Sequence, residues 1–289
     1  MSPSSGDRIL RWGLGICAVG CGSVVLLMAG FLLSGALPAF QTGMAPRFLF
    51  DSHWRPSSLR DPQYALLPML AASVLVTALA TVLACPIALA AAVFNHFFLP
   101  SRWAAFHRRI LELLAGIPSV VFGFWGLTVL VPLVNRLHPP GPSLLAAGLV
   151  LALMILPTIT LTSHAAMRAV PHSQMMAAAG LGLGRLTTIR TIVLPAARHG
   201  IVVGIGLAVA RAVGETMAVV MVCGNVAQIP SSLFDPVRPV TATIALEMGY
   251  ATASHKSLLY AAGSILVLIT ATLTGWFTIR KPRAQTAPR

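Results

Sequence analysis

Charged residues are scarce in this chain of 289 residues. They make up 9% of it, against roughly 25% in ordinary soluble domains, and only seven residues are acidic. With 56% hydrophobic residues and a mean hydropathy of +0.83, the chain has too few charges to cover a soluble globule of this size. A lipid bilayer is the solvent that fits this composition.

A net charge of +13 and a pI of 11.3 are also typical of nucleic-acid-binding domains. Here the basic residues form short islands between apolar runs and no continuous stripe. Lipid headgroups and membrane topology explain that distribution better than a nucleic-acid partner does. We therefore expect no nucleic acid among the partners.

The motifs of several kinds of site are also missing. The four cysteines lie inside apolar runs and form no CxxC pair, which argues against a disulfide framework or a zinc site. The sequence contains no GxxxxGK[ST] loop for ATP and no HExxH or comparable metal spacing among its eight histidines. We expect no catalytic residues, no metal and no cofactor in this chain.

Six apolar runs are long enough to cross a membrane, at about 12–38, 66–94, 111–134, 143–163, 200–226 and 257–279. The first is too long for the apolar core of a signal peptide, so we expect a retained helix. The fold class is therefore an all-α polytopic membrane protein. We divide it into a first helix with an external loop (1–65), a transmembrane core (66–280) and a basic tail (281–289).

The basic residues predict an orientation. If the N-terminus is cytoplasmic, 13 of the 20 Lys and Arg residues fall on the cytoplasmic side and six on the outside, with Arg211 inside a span. This bias places both termini in the cytoplasm.

Prolines interrupt three of the predicted spans, at Pro86, Pro118 and Pro157. Such breaks often line a pathway in membrane bundles, but they also occur where a kink serves only packing.

The longest cytoplasmic connection, at about 164–199, predicts a helix–glycine–helix element. An Ala/Met-rich helix at 174–179 is followed by Gly180, Gly182 and Gly184, and a second short helix runs from about Leu186 to Pro195. The element is either a docking surface for a cytoplasmic partner or a long amphipathic connector.

This connection resembles the cytoplasmic signature of ABC importer permeases, which has the form EAA, three residues, Gly, nine residues, Ile, one residue, Leu-Pro. The matching positions are Ala177, Ala178, Gly182, Ile192, Leu194 and Pro195, and Met176 stands where the signature has glutamate. The segments at 48–56, 112–127 and 210–225 are similar to the phosphate-specific permeases, and among them to the C-type subunit.

The resemblance implies a type I ABC importer permease in a bacterial cytoplasmic (inner) membrane. It also implies cytoplasmic ATP-binding subunits, which hydrolyse the ATP, a second permease subunit of the A-type and an external phosphate-binding protein. Residues 174–195 would dock onto the ATPase.

Arg211 and Glu215 are the charged residues deep inside a predicted span, where charges are costly and face a bundle interior. Their i, i+4 spacing predicts an ion pair on one face of the fifth helix. The pair either locks two helices or forms part of a phosphate pathway with the adjacent Thr216, in which Arg211 offers paired donors to phosphate oxygens and Glu215 competes for them.

The same helix carries small residues at four-residue spacing, Gly200, Gly204, Ala208 and Ala212, which predicts close packing against a helix of this chain or of a second subunit. Import of another oxyanion, such as sulfate or molybdate, and a non-transporting scaffold remain alternatives to phosphate import.

Overall fold

The computed structural model describes residues 5–41, 48, 54 and 63–279; for residues 5–9 and 279 it describes the backbone only. Most of the predicted external loop within 1–65, including most of the segment at 48–56, and the basic tail at 281–289 therefore lie outside the described residues. Within the described residues the chain forms helices and no β-strand.

Six of the helical stretches are long and apolar enough to cross a membrane, which confirms the predicted number of spans. They are Leu10–Gln41, Leu67–Phe97, Ser119–Leu137, Leu144–Arg168, Arg185–Val213 and Ala253–Thr278.

The individual helices are numbered α1 to α12 in chain order. They are α1 (Ser5–Gln41), α2 (Leu67–Phe97), α3 (Ser101–Gly116), α4 (Ser119–Trp125), α5 (Val131–Leu137), α6 (Leu144–Arg168), α7 (His172–Gly180), α8 (Arg185–Thr188), α9 (Leu194–Val213), α10 (Met217–Val222), α11 (Val240–Glu247) and α12 (Ala253–Ile279).

The predicted third span, 111–134, is wrong at its beginning. Ile117 and Pro118 are extended, with ψ of 130° and 139°, and they separate α3 from α4. A residue that precedes proline avoids the helical region because the proline ring clashes with it. The third span therefore begins at Ser119, and α3 is a separate helix in which Leu111 is the one buried residue.

Pro86 and Pro157, in contrast, lie within the uninterrupted helices α2 and α6. Two other prolines follow short π-helical segments. Gly126–Leu130 precedes Pro132, and Ile189–Val193 precedes Pro195. A π turn widens the helix locally and relieves the clash between the proline ring and the carbonyl of the preceding turn.

The fourth span, α6, lies at the centre of the bundle. In its most apolar stretch 67% of the residues are buried, whereas none is buried in the most apolar stretch of α1 in the isolated chain. α6 packs against both α2 and α9. The face of α2 in this core carries small residues at four-residue spacing, namely Ala72, Val76, Ala80, Ala84 and Ala88, which allow the helices to approach closely.

The four-residue repeat of α9 also packs within this chain. A Cβ atom on Gly200 would lie 2.6 Å from the Cβ of Ala166, and one on Gly204 would overlap Thr162, so both glycines contact α6. Ala208 and Ala212 are buried as well. Of the two interpretations of the repeat, packing against a helix of the same chain is confirmed.

Candidate substrate pathway and coupling surface

The fifth span does not continue through the predicted pathway residues. α9 ends at Val213, and Gly214 donates its N–H back to the carbonyl of Ala210 at 3.3 Å. Helix α10 begins at Met217. Residues 214–216 are thus a break between two helices, and Glu215 and Thr216 lie in it.

The predicted ion pair between Arg211 and Glu215 is wrong. Because the helix ends between them, the i, i+4 spacing no longer places both side chains on one face. Within the described part of the chain, no carboxylate lies within ion-pair distance of Arg211. The Arg211 side chain is instead exposed in the isolated chain, in the last turn of α9.

Glu215 has local partners. Its Oε1 accepts the N–H of Ala218 at 3.3 Å, which satisfies one free donor at the beginning of α10. Its backbone carbonyl accepts the hydroxyl of Thr241 at 2.8 Å. The Thr216 hydroxyl donates to the carbonyl of Gly214 at 3.3 Å. The break is therefore held in one conformation by hydrogen bonds.

A small cavity adjoins the break, with room for about one water molecule. Polar side chains from three elements line it: Ser73 and Thr77 from α2, Glu215 from the break and Thr241 from α11. Sequence reasoning missed the two α2 residues. Their i, i+4 spacing in an otherwise apolar span was the signal that could have found them.

Close contacts also fix α10 against the third span. A Cβ atom on Gly123 would lie 2.8 Å from the Cα of Ala218, and one on Gly126 would lie 2.9 Å from Cγ1 of Val222. The two glycines let the third span approach α10 more closely than any larger residue would allow.

The predicted coupling segment, residues 174–195, is largely exposed. Met176 is 61% exposed and Leu181 is 78% exposed, while Ala177, Gly182 and Pro195 are exposed too. Ala178 is buried, and Ile192 and Leu194 are half-buried.

The structure corrects the second half of this segment. A helix does begin after the glycines, at Arg185, but it does not end at Pro195. It continues through the π-helical segment Ile189–Val193 into α9, because the π turn accommodates the proline. The second helix is thus the N-terminal part of the fifth span.

Gly182 has a specific backbone role in the segment. Its φ is +69°, in the left-handed region. The N–H of Gly182 bonds the carbonyl of Ala179 at 3.0 Å, and the N–H of Leu183 bonds that of Ala178 at 3.1 Å. This pair of bonds is the Schellman motif that ends many helices.

Residues 84–285 match the protein family described as the binding-protein-dependent transport system inner membrane component. The chain belongs to this family. Two solved permease structures share its fold. One is from the MetNI methionine ABC transporter, with a TM-score of 0.59 at 17% identity, covering 73% of this chain and 92% of that one. The other is from a bacterial alginate ABC transporter, with a TM-score of 0.60 at 12% identity, covering 93% and 94%.

Curated relatives confirm the resemblance to phosphate-system permeases. The phosphate transport system permease protein PstC of Pasteurella multocida is 34% identical over 86% of this chain and 83% of its own length. PstC of Haemophilus influenzae is 32% identical over 86% and 85%. The probable ABC transporter permease protein YqgH of Bacillus subtilis is 38% identical over 84% and 77%. The chain is a multi-pass membrane permease of the type I ABC importer fold.

Proposed function

We propose that this permease is a transmembrane subunit of an ATP-driven importer of inorganic phosphate. Its relatives at 32–34% identity are phosphate transport permeases, which supports this substrate class. The observation that carries the proposal is the position of Arg211. Arg211 lies in the last turn of α9, just before the helix break that holds Glu215 and Thr216, and in the described chain no carboxylate is within ion-pair distance of it.

The chemistry of Arg211 suits an anion that must cross an apolar region. A guanidinium stays protonated at any working pH and presents parallel donors that match the oxygens of phosphate. Because no carboxylate competes for these donors in the described structure, Arg211 meets the anion directly. Glu215 acts by fixing the start of α10, and this geometry does not support competition between Glu215 and phosphate for Arg211.

The partners follow from the family and from the exposed surfaces. The coupling segment, 174–195, contacts a cytoplasmic ATP-binding subunit through exposed residues such as Met176 and Leu181. A second permease subunit of the A-type covers the side of the bundle where Arg211 is exposed, so that the pathway lies between the two subunits. An external phosphate-binding protein delivers the substrate, membrane lipid surrounds the remaining apolar faces, and both termini lie in the cytoplasm.

Phosphate uptake per assembled complex tests the role of Arg211. The Arg211→Ala variant should lower uptake per complex by about tenfold or more, because hydrogen bonds to a charged group contribute about 1.5–3 kcal/mol each. Arg211→Lys should also transport poorly, since lysine keeps the charge and loses the paired donors. Glu215→Gln keeps an acceptor for Ala218 and serves as the milder comparison.

Two results would contradict the pathway role. Near-normal uptake per complex in Arg211→Ala would show that the guanidinium does not meet the substrate. A loss of uptake only in proportion to the loss of assembled complex would assign Arg211 a structural role. Competition by sulfate and molybdate in the same assay distinguishes phosphate from other oxyanions.

A further inference from the structure

A buried carboxylate at the end of α11 gathers three partners from distant parts of the chain. Glu247 is 3% exposed. Trp54 donates its Nε1–H to both carboxylate oxygens at 3.0 Å, and Arg238 donates from Nη1 to Oε1 at 2.6 Å. The Nε2 atom of His255 lies 3.0 Å from Oε2, without the alignment of a hydrogen bond. Glu247 thus joins the start of α12, the segment before α11 and the residue Trp54.

A second hydrogen bond from the Arg238 guanidinium extends this network to α10. Its Nε donates to the backbone carbonyl of Asn225 at 2.8 Å. Asn225 has a φ of +57°, a conformation that asparagine tolerates better than most residues. Its Nδ2 donates to the carbonyl of Val220 at 2.8 Å, and Cys223 donates from Sγ to its Oδ1 at 3.2 Å. The network therefore ends on the last turn of α10.

Helix α11 holds the other end of α10 as well. Thr241, in the first turn of α11, donates to the carbonyl of Glu215 at 2.8 Å. α11 is itself attached to α2, because Ser73 accepts the N–H of Val240 at 3.0 Å and Thr243 donates to the sulfur of Met69 at 2.8 Å. Both ends of α10 are thus tied to an element that is fixed on the second span.

These contacts add to the packing of α10 on the third span, and they matter because so short a helix does not define its own position. It has six residues, far fewer than the roughly 12–15 at which an isolated helix becomes marginal in water. An ion pair such as Arg238–Glu247 adds little net stability compared with apolar residues, since Glu247 loses its hydration and the Arg238 side chain, which is 21% exposed, loses most of its own. What the pair does provide is a fixed geometry between α11 and the loop after α10.

We propose that Glu247, Arg238 and Asn225 are positioning residues that set the place of α10 and, through it, of Glu215 and Thr216 at the substrate pathway. The proposal rests on the proposed function for the importance of residues 215–216. Its test does not, because the position of α10 can be measured without any substrate.

The measurement uses a Thr216→Cys reporter in the assembled complex, in a background in which all four native cysteines are replaced. Cys223 is replaced by serine, which keeps a donor for Asn225. The rate of reaction with a small methanethiosulfonate reagent reports the exposure of position 216. We expect Arg238→Lys and Asn225→Asp each to change this rate about tenfold, since loss of a charge-assisted or buried hydrogen bond shifts a local equilibrium by that order. Glu247→Gln, which removes the charge while keeping the shape, should change it in the same direction.

Glu112→Gln is the matched control, because it removes the same charge from the exposed Arg108–Glu112 pair at 3.4 Å and should leave the rate unchanged. Rates within twofold of the parent in all three test variants, measured per assembled complex, would overturn the proposal. If Arg238→Lys does not assemble, Asn225→Asp decides alone, because it replaces the donor to Val220 with a charged acceptor and leaves both Arg238 and Glu247 in place. A changed reaction rate combined with unimpaired phosphate uptake would support the positioning role and contradict the proposed pathway.

Discussion

At the scale of single residues, Gly182 is constrained by its backbone conformation and not by its neighbours. A Cβ atom there would meet no other atom, so space alone would admit any residue. The positive φ is the constraint, because a side chain in the left-handed region crowds its own backbone. The glycine of the coupling signature is therefore explained by how α7 ends, with the chain turning back through the Schellman motif into α8.

The first prediction follows from this geometry. Gly182→Ala should destabilise the end of α7 by about 1–2 kcal/mol and lower ATP-coupled uptake per complex, because the exposed coupling surface loses its defined shape. Gly182→Asn should retain most of the coupling, since asparagine tolerates this conformation. The readout is the ratio of phosphate transported to ATP hydrolysed.

Gly180→Ala provides the control for that experiment. Gly180 also has open space around a Cβ atom, but its φ is not positive, so the same added methyl should be harmless. Equal ratios in Gly182→Ala, Gly182→Asn and Gly180→Ala would show that the backbone conformation at residue 182 does not matter for coupling.

At the scale of elements, hydropathy predicted the spans well but not the breaks within them. Burial in lipid depends on composition, which the sequence shows directly, and so six spans were predicted and six are found. The ends of α3 and α9 depend on backbone conformation at Ile117-Pro118 and at 214–216. An apolar run that continues across such a break conceals it, and this is why the Arg211–Glu215 pairing was wrong.

The network around Glu247 could not be predicted from local spacing at all. Trp54 and Glu247 are 193 residues apart, and Ser73 and Val240 are 167 apart. Spacing rules describe neighbours on one helix, whereas contacts between distant segments require the packed bundle. For the same reason, the sequence left open whether Gly200 and Gly204 pack within the chain.

The contact between α9 and α6 gives the second prediction. Gly200→Ala should lower the thermal stability of the complex, because its Cβ would lie 2.6 Å from that of Ala166 and overpacking costs about 1–3 kcal/mol. Adding Ala166→Gly removes the opposing methyl and leaves the Cα of residue 166 at 3.5 Å, an ordinary contact. The double variant should therefore be more stable than the sum of the two single changes predicts.

The midpoint of thermal unfolding of the four proteins, measured in one detergent, gives the coupling between the two positions. Gly30→Ala in α1 is a suitable control because nothing lies near a Cβ atom there. Additive effects of the two changes at 200 and 166 would contradict direct contact between the glycine face of α9 and α6.

At the scale of the whole molecule, the isolated permease exposes surfaces that serve an assembly. Apolar side chains such as Leu181 and Met176 project from the coupling segment, and Phe124 is 60% exposed on the third span. Leu181 and Met176 lie between two spans, and Phe124 lies within a span. An ATPase would cover the coupling segment if that segment is on the cytoplasmic side, while lipid or a second permease would cover the surface around Phe124.

The last prediction therefore concerns orientation. With 13 of the 20 basic residues on one side and six on the other, the chain should insert with residues 174–195 and both termini in the cytoplasm. Ser101→Cys and Ser254→Cys are matched reporters, since both serines are exposed and lie at opposite ends of the spans. In a background without the native cysteines, a membrane-impermeant thiol reagent added to intact cells should label position 254 and spare position 101. Inverted membrane vesicles should reverse the pattern. Labelling of position 101 in intact cells would place the coupling segment outside, where no ATP-binding subunit could reach it, and would remove the proposed docking surface together with the orientation.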